Sequence, residues 1–168
     1  MGKEFIKKSC SSNRIMITNK IKKNNTCPLC GRMGKMVKNV TVKHLITDEF
    51  MGKIGNEDYY LCMDENCDIV YYDLNSGIIF SKQQVKVPIW FKDDANPKYA
   101  CYCSKVTEEE VINAVVKDGA TIMSQVLKIT GAMSEPNCQN NNPLGQCCHK
   151  IVQEAINKGL AILNQYCS

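Results

Sequence analysis

The sequence predicts an α+β fold, with a β-rich first half followed by an all-helical second half. Short runs of β-branched and aromatic residues recur between residues 36 and 90, which is typical of half-buried strands. After Cys103 the apolar residues recur at helical spacing instead. We therefore divide the 168 residues into an N-terminal arm (1–25), a β domain (26–97) and a helical domain (98–168).

Five short strands are predicted in the first half. They cover residues 36–45, 59–61, 69–72, 78–80 and 85–90. Asn75, Ser76 and Gly77 form a turn signal between the third and fourth runs, which predicts a hairpin there. Pro88 places the last run at an edge or an end of a sheet, because proline cannot donate to the ladder. The polar residues 92–97 are predicted to form a linker.

Helix signals mark the second half. Thr107 and Glu110 have the spacing of a capping box, which begins a helix that Gly119 ends. Thr121 is predicted to cap a second helix, which Gly131 ends. A polar loop follows, and a final amphipathic helix extends from Cys148 onward.

Charge is divided unevenly along the chain. Residues 1–43 contain eleven Lys or Arg and one acidic residue, a net charge of +10, whereas the remaining residues carry a net charge of −6. A basic arm can bind an acidic protein partner, an anionic membrane or nucleic acid, but we favour a solvated terminus. Nucleic acid is a less favoured partner, because the arm has few aromatic residues that could stack on bases.

The apolar runs exclude a membrane-spanning protein. None approaches the roughly 20 residues that a bilayer span needs. The first 25 residues are rich in Lys and have no apolar segment of the secretory type. We therefore expect a cytoplasmic protein with no membrane span.

Eleven of the residues are cysteines. In a reducing compartment such cysteines bind metals more often than they form disulfides. A secreted disulfide scaffold would have an even number of cysteines and a signal peptide, and the sequence shows neither. We expect two metal-binding sets, with Cys10 and Cys167 as free thiols near the termini, or alternatively as Cu(I) contacts.

The first set consists of two close pairs of cysteines. Cys27 and Cys30 form a C-x2-C knuckle, and Cys62 and Cys67 form a C-x4-C pair. Four thiolates in two pairs are typical of a closed, tetrahedral Zn²⁺ site with a structural role, as in zinc ribbons. His44 lies between the pairs and is the alternative ligand.

The second set surrounds the predicted helices. Cys101 and Cys103 form a C-x-C pair, which is unusual for zinc but suits a [2Fe-2S] cluster. Cys138 and either Cys147 or Cys148 would complete the set. We favour Cys148, because the start of a helix stabilises a thiolate and the negative charge of a cluster.

These elements carry a family resemblance. The second half resembles the [2Fe-2S] domain of bacterioferritin-associated ferredoxins, and residues 26–155 resemble the N-terminal domain of archaeal CopZ-type copper chaperones. The matching stretches are Cys27-Pro28-Leu29-Cys30-Gly31, Thr41-Val42-Lys43-His44-Leu45, Tyr59-Tyr60-Leu61-Cys62 to Cys67, Val70-Tyr71-Tyr72, Cys101-Tyr102-Cys103, Thr130-Gly131-Ala132 and Asn142-Pro143-Leu144-Gly145-Gln146-Cys147-Cys148.

The resemblance implies a mononuclear zinc site and a [2Fe-2S] cluster that reduces copper or helps to deliver it. By position, it implies Cys101, Cys103, Cys138 and Cys148 as the cluster ligands. The family's heavy-metal-associated domain, with its M-x-C-x-x-C loop, has no counterpart in these residues, and Asn25 rather than Met stands two residues before Cys27. Redox chemistry and metal binding are therefore firmer expectations than copper transfer.

Together these features predict a cytoplasmic redox or metallochaperone-like protein that transfers single electrons and binds a redox partner or a copper-handling protein. An enzyme acting on an organic substrate is less favoured, because the sequence has no dinucleotide fingerprint, zinc-protease motif or nucleophile elbow. The alternatives are an electron-transfer subunit of a dehydrogenase complex and a zinc-ribbon nucleic-acid-binding regulator.

Overall fold

The structure is a computed structural model that describes residues 25–166. Cys10, Cys167 and all of the predicted arm except Asn25 lie outside the described residues. Six strands and five α-helices are assigned within the described part. They are β1 (Lys35–Val37), α1 (Asn39–Leu45), β2 (Tyr59–Leu61), β3 (Ile69–Tyr72), β4 (Ile79–Ser81), β5 (Tyr99–Cys101), β6 (Val106–Thr107), α2 (Glu108–Val116), α3 (Met123–Thr130), α4 (Cys138–Asn141) and α5 (His149–Tyr166).

The first half is built on a four-stranded antiparallel sheet. Its strand order is β1-β2-β3-β4, so each strand pairs with its neighbour in the sequence. The predictions of β2 and β3 and of the hairpin between β3 and β4 are confirmed, while β4 lies one residue later than predicted. The carboxylate of Asp73 accepts the amides of Asn75 and Ser76 in that turn, and Gly77 has a φ of +73°.

The predicted strand over 36–45 is wrong after Val37. Residues Asn39–Leu45 form α1, in which Val42 and Leu45 are buried with the sheet residues in one core. The side chain of Asn39 donates to the carbonyl oxygens of Gly55 and Glu57, both at 2.8 Å. Tertiary packing of one helical face therefore outweighs the β propensity of this run.

The predicted strand over 85–90 is also wrong. Residues Lys82–Gln84 form a 3₁₀ helix with a capping box between Ser81 and Gln84, and only Val85 makes an isolated bridge, with Ile46. Farther along the chain, Pro88 has no N–H group for a ladder.

The second half is mostly, but not entirely, helical. A two-stranded hairpin of β5 and β6 precedes the helices, so the expectation of an all-helical half is wrong at its start. The capping box is confirmed: the Glu110 amide donates to the Thr107 hydroxyl (3.2 Å), and the Thr107 amide donates to the Glu110 carboxylate (2.7 Å). Packing between α2 and α5 forms the centre of this half's core, where Val115 closely approaches Gly159.

The remaining helix predictions have mixed outcomes. Gly131 ends α3 in the left-handed conformation, with a φ of +73°, as predicted. Thr121 does not cap α3, because its amide and hydroxyl both donate to the side chain of Gln125 and Ile122 occupies the capping position. The last helix, α5, begins directly after Cys148, and the short helix α4 lies in the segment predicted as a polar loop.

In the part of the chain that the structure describes, we find no helix with the length and apolar character needed to cross a bilayer.

Candidate metal centres

The first set of cysteines converges on one point at the edge of the sheet. The sulfur atoms of these four residues all lie within 4.8 Å of one another; the residues are Cys27, Cys30, Cys62 and Cys67. The Sγ atoms of Cys27 and Cys67 are 3.9 Å apart, and those of Cys30 and Cys62 are 3.5 Å apart. Sulfurs bound to a tetrahedral zinc ion at about 2.3 Å would be separated by about 3.8 Å. The donor set and its spacing therefore fit Zn²⁺.

Local turns position the two pairs. In the first, the Cys27 amide donates to the carbonyl of Arg32 (2.7 Å), and the Gly31 amide donates back to the carbonyl of Cys27 (2.9 Å). Gly31 has a φ of +73°, a conformation that favours glycine. This tight turn brings both thiols of the C-x2-C motif to the same side.

The wider spacer of the second pair, between Cys62 and Cys67, is organised by Asp64. Its carboxylate accepts the backbone amides of Asn66 (2.9 Å) and Cys67 (3.0 Å) and also forms an ion pair with Arg32 (2.7 Å). The Asp64 side chain therefore holds the loop between Cys62 and Cys67 in shape. Its ion pair with Arg32 joins this loop to the turn that carries Cys27 and Cys30.

Backbone amides also stabilise the sulfur atoms. Burial raises the pKa of Cys30, but hydrogen bonds from the Arg32 amide and neighbouring thiols outweigh burial, so the net pKa is below its ordinary value. Burial keeps the pKa of Cys62 and Cys67 above the ordinary value, although backbone N–H groups oppose it at both. A bound zinc ion would displace these protons, since a coordinating thiol is deprotonated outright.

Lys92, predicted to lie in a linker, is instead buried against the loop between Cys62 and Cys67, which we call the second zinc loop. The residue is only 1% exposed, and its ammonium group donates to the carbonyl oxygens of Asp64 (2.6 Å), Cys67 (2.9 Å) and Ile69 (3.1 Å). The positive charge of this ammonium group partly offsets the negative charge of four thiolates. The sequence gives little signal for this role beyond a lysine that directly follows Trp90 and Phe91.

His44 does not join the four cysteines. Its side chain is exposed on α1, and its Nδ1 hydrogen-bonds with the carbonyl oxygen of Val40 at 2.8 Å. Among the described residues, the tetrahedral cluster contains only cysteines.

The second set is arranged as two pairs. The Sγ atoms of Cys103 and Cys138 are 3.6 Å apart. The thiols of Cys101 and Cys148 lie close enough to shift each other's pKa. The hairpin of β5 and β6 carries the first two cysteines, Cys138 begins α4, and Cys148 immediately precedes α5. In a [2Fe-2S] cluster with four cysteine ligands, each iron takes two thiolates, so a pairwise arrangement fits that group.

Amides point at these sulfurs as well. The Met133 amide donates to Cys101 Sγ (3.4 Å), and the Asn137 amide donates to Cys103 Sγ (3.2 Å). Met133 lies in the loop after Gly131 and has a φ of +62°, which is uncommon for residues other than glycine. The loop thus supplies N–H groups of the kind that tune iron–sulfur centres.

Cys101 and Cys148 shift each other's pKa in opposite directions. The hydrogen bond from Cys148 lowers the pKa of Cys101 to about 5, although burial opposes it. The same hydrogen bond, followed by burial, raises the pKa of Cys148 well above its ordinary value. Burial raises the pKa of Cys138 to about 11. Of the Cys101 and Cys148 thiols, Cys101 is therefore the one that ionises more readily.

Cys147 lies away from this set. Its side chain is exposed and, with Trp90 and Lys150, lines a cavity of about 330 Å³ between the two halves. Cys148, by contrast, is buried beside Cys101. Of the two adjacent cysteines, the structure brings Cys148 to the second set and leaves Cys147 outside it.

Comparisons with known proteins agree with this layout. Residues 24–86 match the family model described as a zinc binding domain, of the CopZ type. The chain is 35% identical over 123 residues to the copper chaperone CopZ of Archaeoglobus fulgidus, a match that covers 73% of this chain and 57% of that chaperone. The chain therefore spans little more than half of the chaperone's length.

A solved structure extends the likeness beyond the zinc domain. The crystal structure of the Archaeoglobus fulgidus CopZ N-terminal domain superposes with a TM-score of 0.65 at 32% identity, covering 77% of this chain and 95% of the other. Because the match covers 77% of this chain, more than either half contains, the likeness includes residues of both halves. The chain belongs to the family of this CopZ N-terminal domain.

Proposed function

We propose that this protein is a redox-active metallochaperone-like protein that holds a structural Zn²⁺ and a [2Fe-2S] cluster and transfers single electrons in copper handling. The observation that carries the redox part is the pairing of Cys103 with Cys138, at 3.6 Å, and of Cys101 with Cys148. The match to a copper chaperone supports copper as the metal that is handled.

The zinc part of the proposal assigns Cys27, Cys30, Cys62 and Cys67 as ligands. Support comes from their mutual sulfur distances and from the match of residues 24–86 to a zinc binding domain. A closed shell of four thiolates leaves no open position for a substrate. Zinc in this site would therefore stabilise the first half, since binding energy for a structural ion is also folding energy.

The redox part assigns Cys101, Cys103, Cys138 and Cys148 to the cluster. A cluster with four thiolate ligands supplies one-electron chemistry at a low potential when it is bound. The residues of this chain orient the thiols, direct the Met133 and Asn137 amides at sulfur, and keep Cys101 and Cys148 buried. Cys103 and Cys138 are partly exposed, which leaves one side of the set accessible to a partner.

The partners follow from this chemistry. A low-potential electron donor can reduce Cu(II) to Cu(I), the copper ion that thiolates bind well. We therefore propose a copper-handling protein or a redox protein as the partner, and a cytoplasmic location, where thiols stay reduced. We also propose that the basic arm binds an acidic partner.

Anaerobic reconstitution with iron and sulfide tests the redox assignment. We expect visible absorption bands that dithionite bleaches, with a spin-half EPR signal of about one spin per chain from a mixed-valence cluster. Electron transfer is then measured by mixing the reduced protein with Cu(II) and following the return of the visible bands. A protein that takes up zinc but no iron would contradict the proposal and favour a zinc-only regulator.

Metal analysis tests the zinc assignment. We expect about one zinc per chain in the wild type and in His44→Ala, and close to none in Cys62→Ser, because an incomplete thiolate shell loses its closed geometry. Full zinc retention in Cys62→Ser, or zinc loss confined to His44→Ala, would contradict the four-cysteine assignment.

A further inference from the structure

The segment from Cys138 to Cys148 contributes two cysteines to the second set, yet its middle is held by the other half of the molecule. Pro143 lies at its centre, five residues from each cysteine. The residues on either side of Pro143 lead directly to these two cysteines. A contact that fixes the centre of so short a segment therefore restrains both of its ends.

Tyr71 fixes the centre of the segment. This residue of β3 is completely buried, and its hydroxyl donates to the carbonyl oxygen of Pro143 at 2.7 Å. Leu144, the next residue, packs into the core of the first half. A tyrosine hydroxyl at such depth is costly to bury without a partner, so this hydrogen bond selects one position for the segment.

Thr41 holds the segment at a second point. Its hydroxyl, on α1, donates to the carbonyl oxygen of Gln139 at 2.7 Å. Gly145 lies so close to this side chain that a Cβ atom there would be 2.4 Å from Thr41 Oγ1. Two hydroxyl groups from two elements of the first half thus hold the segment, one at its centre and one four residues before it.

Tyr72, the neighbour of Tyr71 in β3, has a parallel role at the zinc site. It is also fully buried, but its hydroxyl donates to the carbonyl oxygen of Asn25 at 2.7 Å, close to Cys27. Adjacent strand residues point to opposite faces of a sheet, so the two hydroxyls diverge. One strand therefore supports the segments of both cysteine sets.

We infer that Tyr71 and Thr41 are positioning residues for the second cysteine set, which they act on through the segment from Cys138 to Cys148. The inference rests on the proposed function where it concerns a bound cluster. The hydrogen bonds that position the segment do not depend on that proposal. It assigns to the first half a function beyond holding zinc: this half sets the positions of Cys138 and Cys148.

The test compares Tyr71→Phe and Thr41→Val with the matched control Tyr72→Phe, all in a Cys147→Ser background that removes the exposed neighbouring thiol. In zinc-loaded, iron-free protein, the rate of alkylation of Cys148 by iodoacetamide is measured by peptide mass spectrometry. In reconstituted protein, the rate of iron loss to a chelator and the EPR line shape are measured. Zinc transfer to a chromogenic chelator is followed in parallel.

We expect Tyr71→Phe and Thr41→Val to accelerate Cys148 alkylation and iron loss by about 2- to 10-fold, the effect of one lost buried hydrogen bond, and to alter the EPR line shape. Zinc transfer should stay at the wild-type rate. Tyr72→Phe should show the reverse pattern, with faster zinc transfer and wild-type behaviour at the second set. General destabilisation would not give this crossed pattern.

Wild-type alkylation and iron-loss rates in both Tyr71→Phe and Thr41→Val would overturn the inference, as would an equal acceleration in Tyr72→Phe. Should Tyr71→Phe not fold, Thr41→Val decides. Should the wild type take up no iron, the proposed function fails, and alkylation of Cys148 still decides whether these hydroxyls position the segment.

Discussion

The ammonium nitrogen of Lys92 lies 2.9 Å from the carbonyl oxygen of Cys67, at a depth where the lysine is only 1% exposed. Two further carbonyls, of Asp64 and Ile69, complete its hydrogen bonds. The second zinc loop is thus built around a buried cation from the connection between the two halves, rather than by its cysteines alone.

Replacement of this cation should weaken the zinc-binding half. In Lys92→Met the three carbonyl oxygens lose their donor. A hydrogen bond to a charged group contributes about 1.5–3 kcal/mol, so we expect a loss of at least about 1.5 kcal/mol in the free energy of unfolding. Zinc transfer to a chelator should also be faster. Urea denaturation and a colorimetric zinc assay measure the two effects.

Lys82→Met is the matched control for Lys92. Lys82 pairs with the carboxylate of Asp94 at 3.0 Å near the same connection, but the Asp94 side chain is exposed. Exposed ion pairs contribute little to stability. Equal effects of the two substitutions would show that the burial of Lys92 is unimportant.

Substitution by serine should remove iron at Cys148 but not at Cys147. Cys148→Ser removes the buried thiol that pairs with Cys101, so we expect loss of most of the reconstituted iron. Cys147→Ser removes an exposed thiol and should leave the iron content and the EPR signal unchanged. Iron analysis of both variants checks this, and iron loss confined to Cys147→Ser would reverse the assignment.

Gly145 tests the close contact between the two halves. Ala at this position meets the same φ penalty as Ala at Gly119, since both have positive φ values, +66° and +73°. Only Gly145→Ala also places a Cβ 2.4 Å from Thr41 Oγ1. We expect it to cost about 1–3 kcal/mol more than Gly119→Ala, the typical cost of overpacking, as measured by urea denaturation. Equal costs would show that the contact relaxes freely.

Buried tyrosines should limit stability at alkaline pH. Burial raises the pKa of Tyr71 and Tyr102 above the ordinary value of 10. Above pH 10 the folded state retains phenol protons that the unfolded state has lost. The free energy of unfolding is therefore unaffected by ionisation of these tyrosines below pH 10 and falls as the pH rises above it. Urea midpoints between pH 8 and 12 should fall beyond pH 10.

Tyrosinate absorbance at 295 nm gives a second measure of the same effect. We expect the buried tyrosines to ionise together with unfolding, later than a free tyrosine would. Tyr102 illustrates why, because burial raises its pKa and its hydroxyl donates to the carbonyl of Pro88 (2.6 Å), a hydrogen bond that ionisation would break. The Trp90 amide, which donates to the same hydroxyl (2.9 Å), opposes this shift but does not outweigh burial. Complete ionisation of all seven tyrosines near pH 10 in the folded protein would contradict this.

Features encoded by nearby residues could be predicted from the sequence. The capping box of Thr107 and Glu110 and the turn before Gly77 depend on contacts within a few residues. The strands β2 and β3 follow from the β-branched and aromatic character of their own residues. The first cysteine set could also be predicted, although its two pairs are distant in the sequence, because thiolate chemistry and pair spacing restrict which residues converge; the sulfurs of Cys27 and Cys67 do lie 3.9 Å apart.

Other features depend on partners distant in the sequence. Residues 39–45 have β-branched character, yet they form a helix because Val42 and Leu45 pack into the core beside the sheet. The burial of Lys92 depends on carbonyls more than twenty residues away, and that of the Tyr71 hydroxyl on Pro143, 72 residues away. No local pattern encodes such contacts, because their free energy exists only once distant parts of the chain have come together. The tertiary structure alone therefore assigns these residues to the two cysteine sets.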